Sequence, residues 1–371
     1  MNIQKMFCCF LCGLILLGCT RDDSTETTVD TSFIPDFRVV GEDIDNIYQY
    51  NYNAEQEEGE LINLTLENNV ALQYLELSQV DDLLTFYSFS AGNFSAVQRN
   101  AVTGENNVLN NFYTVTDERS ILWGANSETK VFMGYFSPQG STNYGVRTID
   151  NATDEVTDIN IAFNVNTVFQ SLYSDGKLIL TYRDNLNINK VAVMNTQTNS
   201  LMRTLDFGSD TSSIFIDEQG DVVVILADDD ENQEYQVYDS ETLELREEQA
   251  FLLDRLFAPG PLDASISEDK LFYIYTYSQP SPVLAAPAVY DFVKEENKII
   301  DMIGIARQVE EDLKANIVLS AIDYRTEADA FLVGYGEQDG DILNGGVLVI
   351  STKGELLENI RLPFAPTYIV Q

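Results

Sequence analysis

The stretch 234–245, EYQVYDSETLEL, decides the fold. Tyr235, Val237 and Tyr238 precede a cluster of Asp239, Ser240 and Thr242, and Leu243 and Leu245 follow it. Aromatic and branched residues on both sides of a short Asp/Ser/Thr cluster read as strand, tight turn, strand. The same shape recurs. VAVMNTQTNSLMRTL (191–205) turns at Asn195 and Thr198, YGVRTIDNATDEVTDI (144–159) at Asp150 and Thr153, and FSAVQRNAVTGENNVL (94–109) at Asn100 and Thr103. PAVYDFVKEENKIIDM (287–302) turns at Asp291 and GGVLVISTKGELLENI (345–360) at Ser351. A weaker copy, YQYNYNAEQEEGELINL (48–64), turns near Asn53. The turns are spaced by roughly 50 residues, the signature of a repeat architecture.

A second strand pair lies upstream of each stronger copy. SSIFIDEQGDVVVILA (212–227) turns at Glu218-Gln219-Gly220, FQSLYSDGKLILTYR (169–183) at Asp175-Gly176, and ASISEDKLFYIYTY (264–277) at Glu268-Asp269. Four short strands per repeat make a propeller blade. The chain therefore reads as all-β, a β-propeller of seven four-stranded blades. The first copy lacks an innermost strand, and Thr367 to Val370 read as a spare one, so the C-terminal strand is expected to close the ring. No amphipathic helices alternate with the strands, which argues against a parallel α/β fold. The pattern resembles the β-propellers with YVTN-like or WD-like repeats, over about 36–371. Six or eight blades, or an outer-membrane barrel, are the alternatives. Runs such as VVVILA (222–227) argue against the barrel, because they are apolar at every position and barrel strands alternate.

Composition narrows the chemistry. The 371 residues hold 21 Lys+Arg and 60 Asp+Glu, a net charge of −39. Such a surface repels nucleic acid. There is no histidine, which removes Ser-His and Cys-His catalysis and every His-ligated metal site.

The N-terminus, MNIQKMFCCFLCGLILLGC, places Lys5 before an apolar run that is too short to span a bilayer comfortably. Leu16-Leu17-Gly18-Cys19 resembles a bacterial lipobox, which implies cleavage after residue 18 and a lipid on Cys19. All four cysteines lie in this segment, so the mature domain has no disulfide. The polar stretch 20–32 reads as a flexible tether. Its start, Thr20-Arg21-Asp22-Asp23, is similar to the signal after the lipid cysteine in surface-exposed lipoproteins of the Bacteroidetes. The expected organisation is a signal peptide over 1–18, lipidated cysteine and tether over 19–35, and the propeller over 36–371. The implied address is the outer membrane, lipid-anchored, at the cell surface or facing the periplasm.

Strands in a blade alternate in direction, so loops sort onto two faces. Turns joining strands one to two and three to four are terse: YSDGK, DEQGD, SEDK, NTQT, DSET, STKG. The other face carries the long segments, including ADDDENQE (227–234), AFLLDRLFAPGPL (250–262), SQPSPVLAAP (278–287), GIARQVEEDLKANI (304–317) and YGEQDGDILNGG (335–346). Binding residues sit on long loops of rigid scaffolds, so this is the expected working face. Phe257, Tyr277 and Tyr335 border it and are the candidate ligand-stacking side chains. Two acidic loops offer calcium oxygens: Asp228, Asp229 and Asp230 in one, Asp339 and Asp341 with Asn344 in the other. Trp123, in SILWGA, reads as core. The expected function is a non-catalytic binding or scaffold module for a protein or nutrient ligand. The alternative is a carbohydrate-active enzyme using carboxylates or calcium.

Overall fold

The structure is a computed structural model. It describes residues 33–90, 93–114, 120–137, 142–228, 230, 232–253, 257–338 and 343–371, of which 111–114 and 120 are described in backbone only. Residues from Ile34 onward form one compact unit.

Turn chemistry builds the hairpins. Asp239 Oδ1 accepts from the backbone N–H groups of Glu241 and Thr242, at 2.9 and 2.7 Å. Asn100, Asp150, Asn195 and Asp291 do the same for their own turns. A carboxylate or amide bonded to the backbone two and three residues on is an Asx turn. Four residues after each lies a left-handed residue, among them Asp154, Asn199, Leu243 and Glu295, with φ between 49° and 57°. The repeat seen in the sequence is thus one turn geometry used again and again.

These hairpins assemble into seven antiparallel blades. Blade one takes β1 (Phe37–Glu42), β2 (Ile47–Asn53) and β3 (Glu58–Asn63). Blade two is β4 (Glu76–Val80), β5 (Leu83–Ser90), β6 (Asn93–Asn100) and β7 (Asn106–Thr114). Blade three is β8 (Ser120–Asn126), β9 (Lys130–Phe136), β10 (Tyr144–Asp150) and β11 (Val156–Ala162). Blade four is β12 (Val165–Ser174), β13 (Lys177–Asp184), β14 (Asn189–Asn195) and β15 (Ser200–Asp206). Blade five is β16 (Thr211–Ile216), β17 (Val222–Ala227), β18 (Gln233–Tyr238) and β19 (Leu245–Phe251), with a two-residue strand, β20 (Gly260–Pro261), parallel to β16. Blade six is β21 (Ala264–Ser267), β22 (Lys270–Thr276), β23 (Ala285–Asp291) and β24 (Glu296–Ile299). Blade seven is β25 (Ile317–Arg325), β26 (Ala330–Glu337), β27 (Gly345–Ser351) and β28 (Leu356–Leu362).

The last strand, β29 (Ala365–Val370), pairs antiparallel with β1 and becomes the innermost strand of blade one. The expected closure is the observed one, with the strand starting two residues earlier than the sequence suggests. Neighbouring blades hold it on both sides. Ser320 of blade seven donates to Pro366 O and Arg325 to Val370 O. On the other side, Gln79 of blade two accepts from Gln371 N and Tyr368 Oη, and donates to Gln371 O.

The core is a set of seams rather than a centre. Seven apolar clusters are present, and each joins one blade to the next. This explains the strands that are apolar on both faces. In β17, Val222, Val224 and Leu226 pack toward blade four, while Val223 and Ile225 pack toward blade six. Trp123 is buried as expected, and a Cβ on Gly134 would lie 2.1 Å from its indole. A side chain at residue 134 has no room unless the ring moves.

Among the described residues, two α-helices lie in the connections between blades: α1 (Leu64–Asn68) and α2 (Met302–Leu313). Asp301 caps α2 by accepting from Gly304 N. Met302, Ile305, Ala306 and Val309 bury its inner face in the seam between blades six and seven. The stretch 304–317, expected as a long loop, is thus mostly this packed helix, which ends at Leu313.

Candidate functional site

Strand direction fixes two faces. The short-turn face carries 81–82, 127–129, 175–176, 217–221, 268–269 and 326–329, with the turns between third and fourth strands. The long-loop face carries the described residues of the connections between blades and the loops 43–46, 185–188 and 277–284, with Asp228, Asp230 and Asn232 of one further loop and Gln338, Leu343 and Asn344 of another. The chain enters at the short-turn face: Asp36 accepts from Ala54 N in the turn 54–57. Gln371 ends there too, beside the turns at Glu218 and Glu327.

The expected stacking residues occupy three different environments. Tyr277 opens the loop 277–284, half-buried, with its ring edge-on to Tyr275 at 5.2 Å. Phe257 is 6% exposed and packs edge-to-face on Tyr273 at 5.4 Å. Tyr335 is wholly buried, its hydroxyl donating to Asn359 Oδ1 at 2.9 Å. Burial corrects the reading of the last two. Their rings fill blade seams and present no face to an outside ligand. Local sequence placed them beside long loops, whereas a neighbouring blade covers them.

Of the acidic loops, Asp229, Asp339 and Asp341 lie outside the described residues, as does Cys19. Asp228 spends its oxygens on its own loop, accepting from Asp230 N, Asn232 N and Asn232 Nδ2. These bonds, the side-chain amide first, hold its carboxyl below the usual range. Asp230 contributes its backbone N–H to that turn, and Asn344 its carbonyl to Glu337 N. Among the described residues no group of three carboxylates or thiolates is placed to hold a metal ion.

Sequence reasoning missed a cavity of mixed polar and apolar lining at the middle of the ring. This cavity of about 650 Å³ runs between the inner strands, lined by Gln79, Gln170, Asp263, Asp323, Tyr368 and Gln371 among others. Asp263 lines it, and protein surrounds most of its carboxyl. Loss of solvation, then the charge of Asp323, push it up to about 6. Asp323 is also raised by burial, but Arg325 opposes the shift. Arg325 Nε stands 2.9 Å from Asp323 Oδ2, close enough for an ion pair though not aligned as a hydrogen bond. Among the described residues no basic side chain pairs with Asp263, so nothing offsets its loss of solvation. No local sequence signal marks these acids, because each is a single residue at the end of an ordinary inner strand.

Comparison with known proteins adds likeness of fold only. No protein-family model matches the chain, and no curated protein matches it. Among solved structures, it is similar to TolB from Acinetobacter baumannii at 12% identity and TM-score 0.43, covering 91% of this chain and 79% of that one. It is similar to the Dos1 propeller at 14% identity and TM-score 0.45, covering 86% and 83%. It is similar to the propeller domain of the Trilobed protease from Pyrococcus furiosus at 9% identity and TM-score 0.41, covering 74% and 81%. The seven-bladed assignment rests on this chain's own strand order.

Proposed function

We propose that the chain is a non-catalytic binding module, held to the outer membrane through a lipid on Cys19 at the cell surface, that docks a protein on its long-loop face. One observation carries the reading. Ile44, Leu66, Phe163, Leu186, Leu252 and Leu284 are each more than half exposed, and all six sit on that face, Leu66 on α1 and the others on loops. On the short-turn hairpins, Val102 and Val293 are the comparably exposed large apolar side chains. Apolar side chains gathered on one face of a soluble domain mark a surface that another molecule covers. A net charge of −39 favours a partner whose apolar centre is rimmed by basic side chains.

The test uses the purified domain as bait against outer-membrane extract. A protein retained by the native domain is expected to be lost at least tenfold with Leu186→Ser, Leu252→Ser and Leu284→Ser combined, and kept with Glu241→Lys on the short-turn face. Unchanged melting of the triple variant controls for folding. Equal loss with both variants, or loss with Glu241→Lys alone, sinks the assignment of the face.

A further inference from the structure

We propose that the cleft between blades two and three, on the short-turn face, is a binding site for an uncharged oligosaccharide. It is separate from the long-loop face and does not depend on it. The cleft has a volume of about 630 Å³, within the range of small-molecule sites. Its walls are the turn 81–82 with Asn100 and Glu105 of blade two, and Glu128 and Asn151 of blade three.

Its floor is unusual. Gln98, on β6, is 3% exposed, and its Oε1 accepts from Asn151 Nδ2 at 2.9 Å across the seam. Gln98 Nε2 and Asn151 Oδ1 have no hydrogen-bond partner. The hydroxyl of Thr85, which pairs with Gln98 across β5 and β6, has none either. A buried amide left without a partner costs free energy. Here a free donor and a free acceptor stand on adjoining amides, the pattern that a hydroxyl completes by accepting one bond and donating another.

The seam explains why these two amides stand here. It has the thinnest apolar packing among the described residues: Tyr87, Ala96, Val131, Met133 and Ile149. Polar groups replace hydrophobic fill above it. The cleft lining adds Asn106 and Asn107, and four carboxylates on Asp81, Asp82, Glu105 and Glu128. At the rim, Arg38 pairs with Asp82 at 3.7 Å, and no cation lines the cleft itself. Carboxylates and amide oxygens accept from sugar hydroxyls, and amide N–H groups donate to them. Four negative charges reject phosphate, sulfate and uronic acids. The ligand class that remains is neutral and rich in hydroxyls.

Titration of the purified domain with a panel of neutral gluco-, manno- and galacto-oligosaccharides, followed by calorimetry, tests the site. At least one is expected to bind at millimolar affinity or better, and its acid-bearing counterpart to bind at least tenfold more weakly. Gln98→Leu, which keeps the volume and removes the amide, is expected to weaken binding at least tenfold. Asn107→Ala, at the wall, weakens it with the fold intact should Gln98→Leu prove unstable. Absence of binding across the panel overturns the proposal. So does binding that neither variant changes, the outcome expected if ordered water alone fills the floor.

Discussion

Asn195 shows what one side chain does in this fold. Its amide oxygen accepts from Gln197 N and Thr198 N, both at 2.9 Å, and fixes the hairpin of blade four. Asn195→Ala leaves two backbone donors to water and is expected to lower stability by about 1 kcal/mol, read as a fall in the denaturation midpoint. Glu241, exposed in the equivalent turn of blade five, bonds through its backbone, so Glu241→Lys leaves the midpoint unchanged. Asp263 behaves oppositely to a paired acid. Its folded pKa, about 6, lies above the ordinary 3.8. The folded state therefore holds the proton more tightly. The stability from this group is complete below about pH 4 and is lost as pH rises through about 6. Asp263→Asn is expected to raise the melting temperature at pH 7 and to leave it unchanged at pH 4, a pair of scans that would expose any other cause.

At the level of the strand, β29 decides whether blade one has an inner edge. Removing 367–371 strips Ile369 and Val370 from the seams and uncovers β1. Full burial of two such side chains contributes about 3–6 kcal/mol, so the truncated domain is expected to melt far below the native one by calorimetry. The strands and this closure were legible because hairpin chemistry is local: Asp239 and Asn195 announce their turns to within a residue. The environment of Tyr335 was not legible. In Tyr335-Gly336 and Gly345-Gly346 the glycines look like loop punctuation, yet Gly346 makes room for the Tyr335 ring, with a Cβ there meeting its hydroxyl at 2.6 Å. Burial of that kind belongs to the next strand and the next blade, which no short window contains.

Across the whole molecule, the long-loop face and the short-turn face differ in what they expose. The contrast in loop length was visible in the sequence. The six exposed apolar loop residues were not, because Leu186 and Leu284 look like any core leucine until the ring sorts them outward. The central cavity and the cleft between blades two and three were hidden for a related reason. Asp263 and Asp323, or Gln98 and Asn151, are far apart in sequence and meet only when blades close on one another. Anchoring has its own check. Cys19→Ser is expected to move the protein from the membrane fraction to the soluble one, and continued membrane association would remove the lipid from the account.

The clasp between β29 and β1 also sets a clock. Val39 and Ile369 face each other across the closed blade, so the ring has no complete circuit until nearly the whole chain exists. Linking segments so distant in sequence makes closure a late event with a large entropy of loop formation. A chain stopped anywhere short of residue 365 keeps a raw sheet edge. Until then the inner edge of β1 offers its backbone N–H and C=O groups to any strand it meets, and only the pairing of 365–370 with β1 withdraws them.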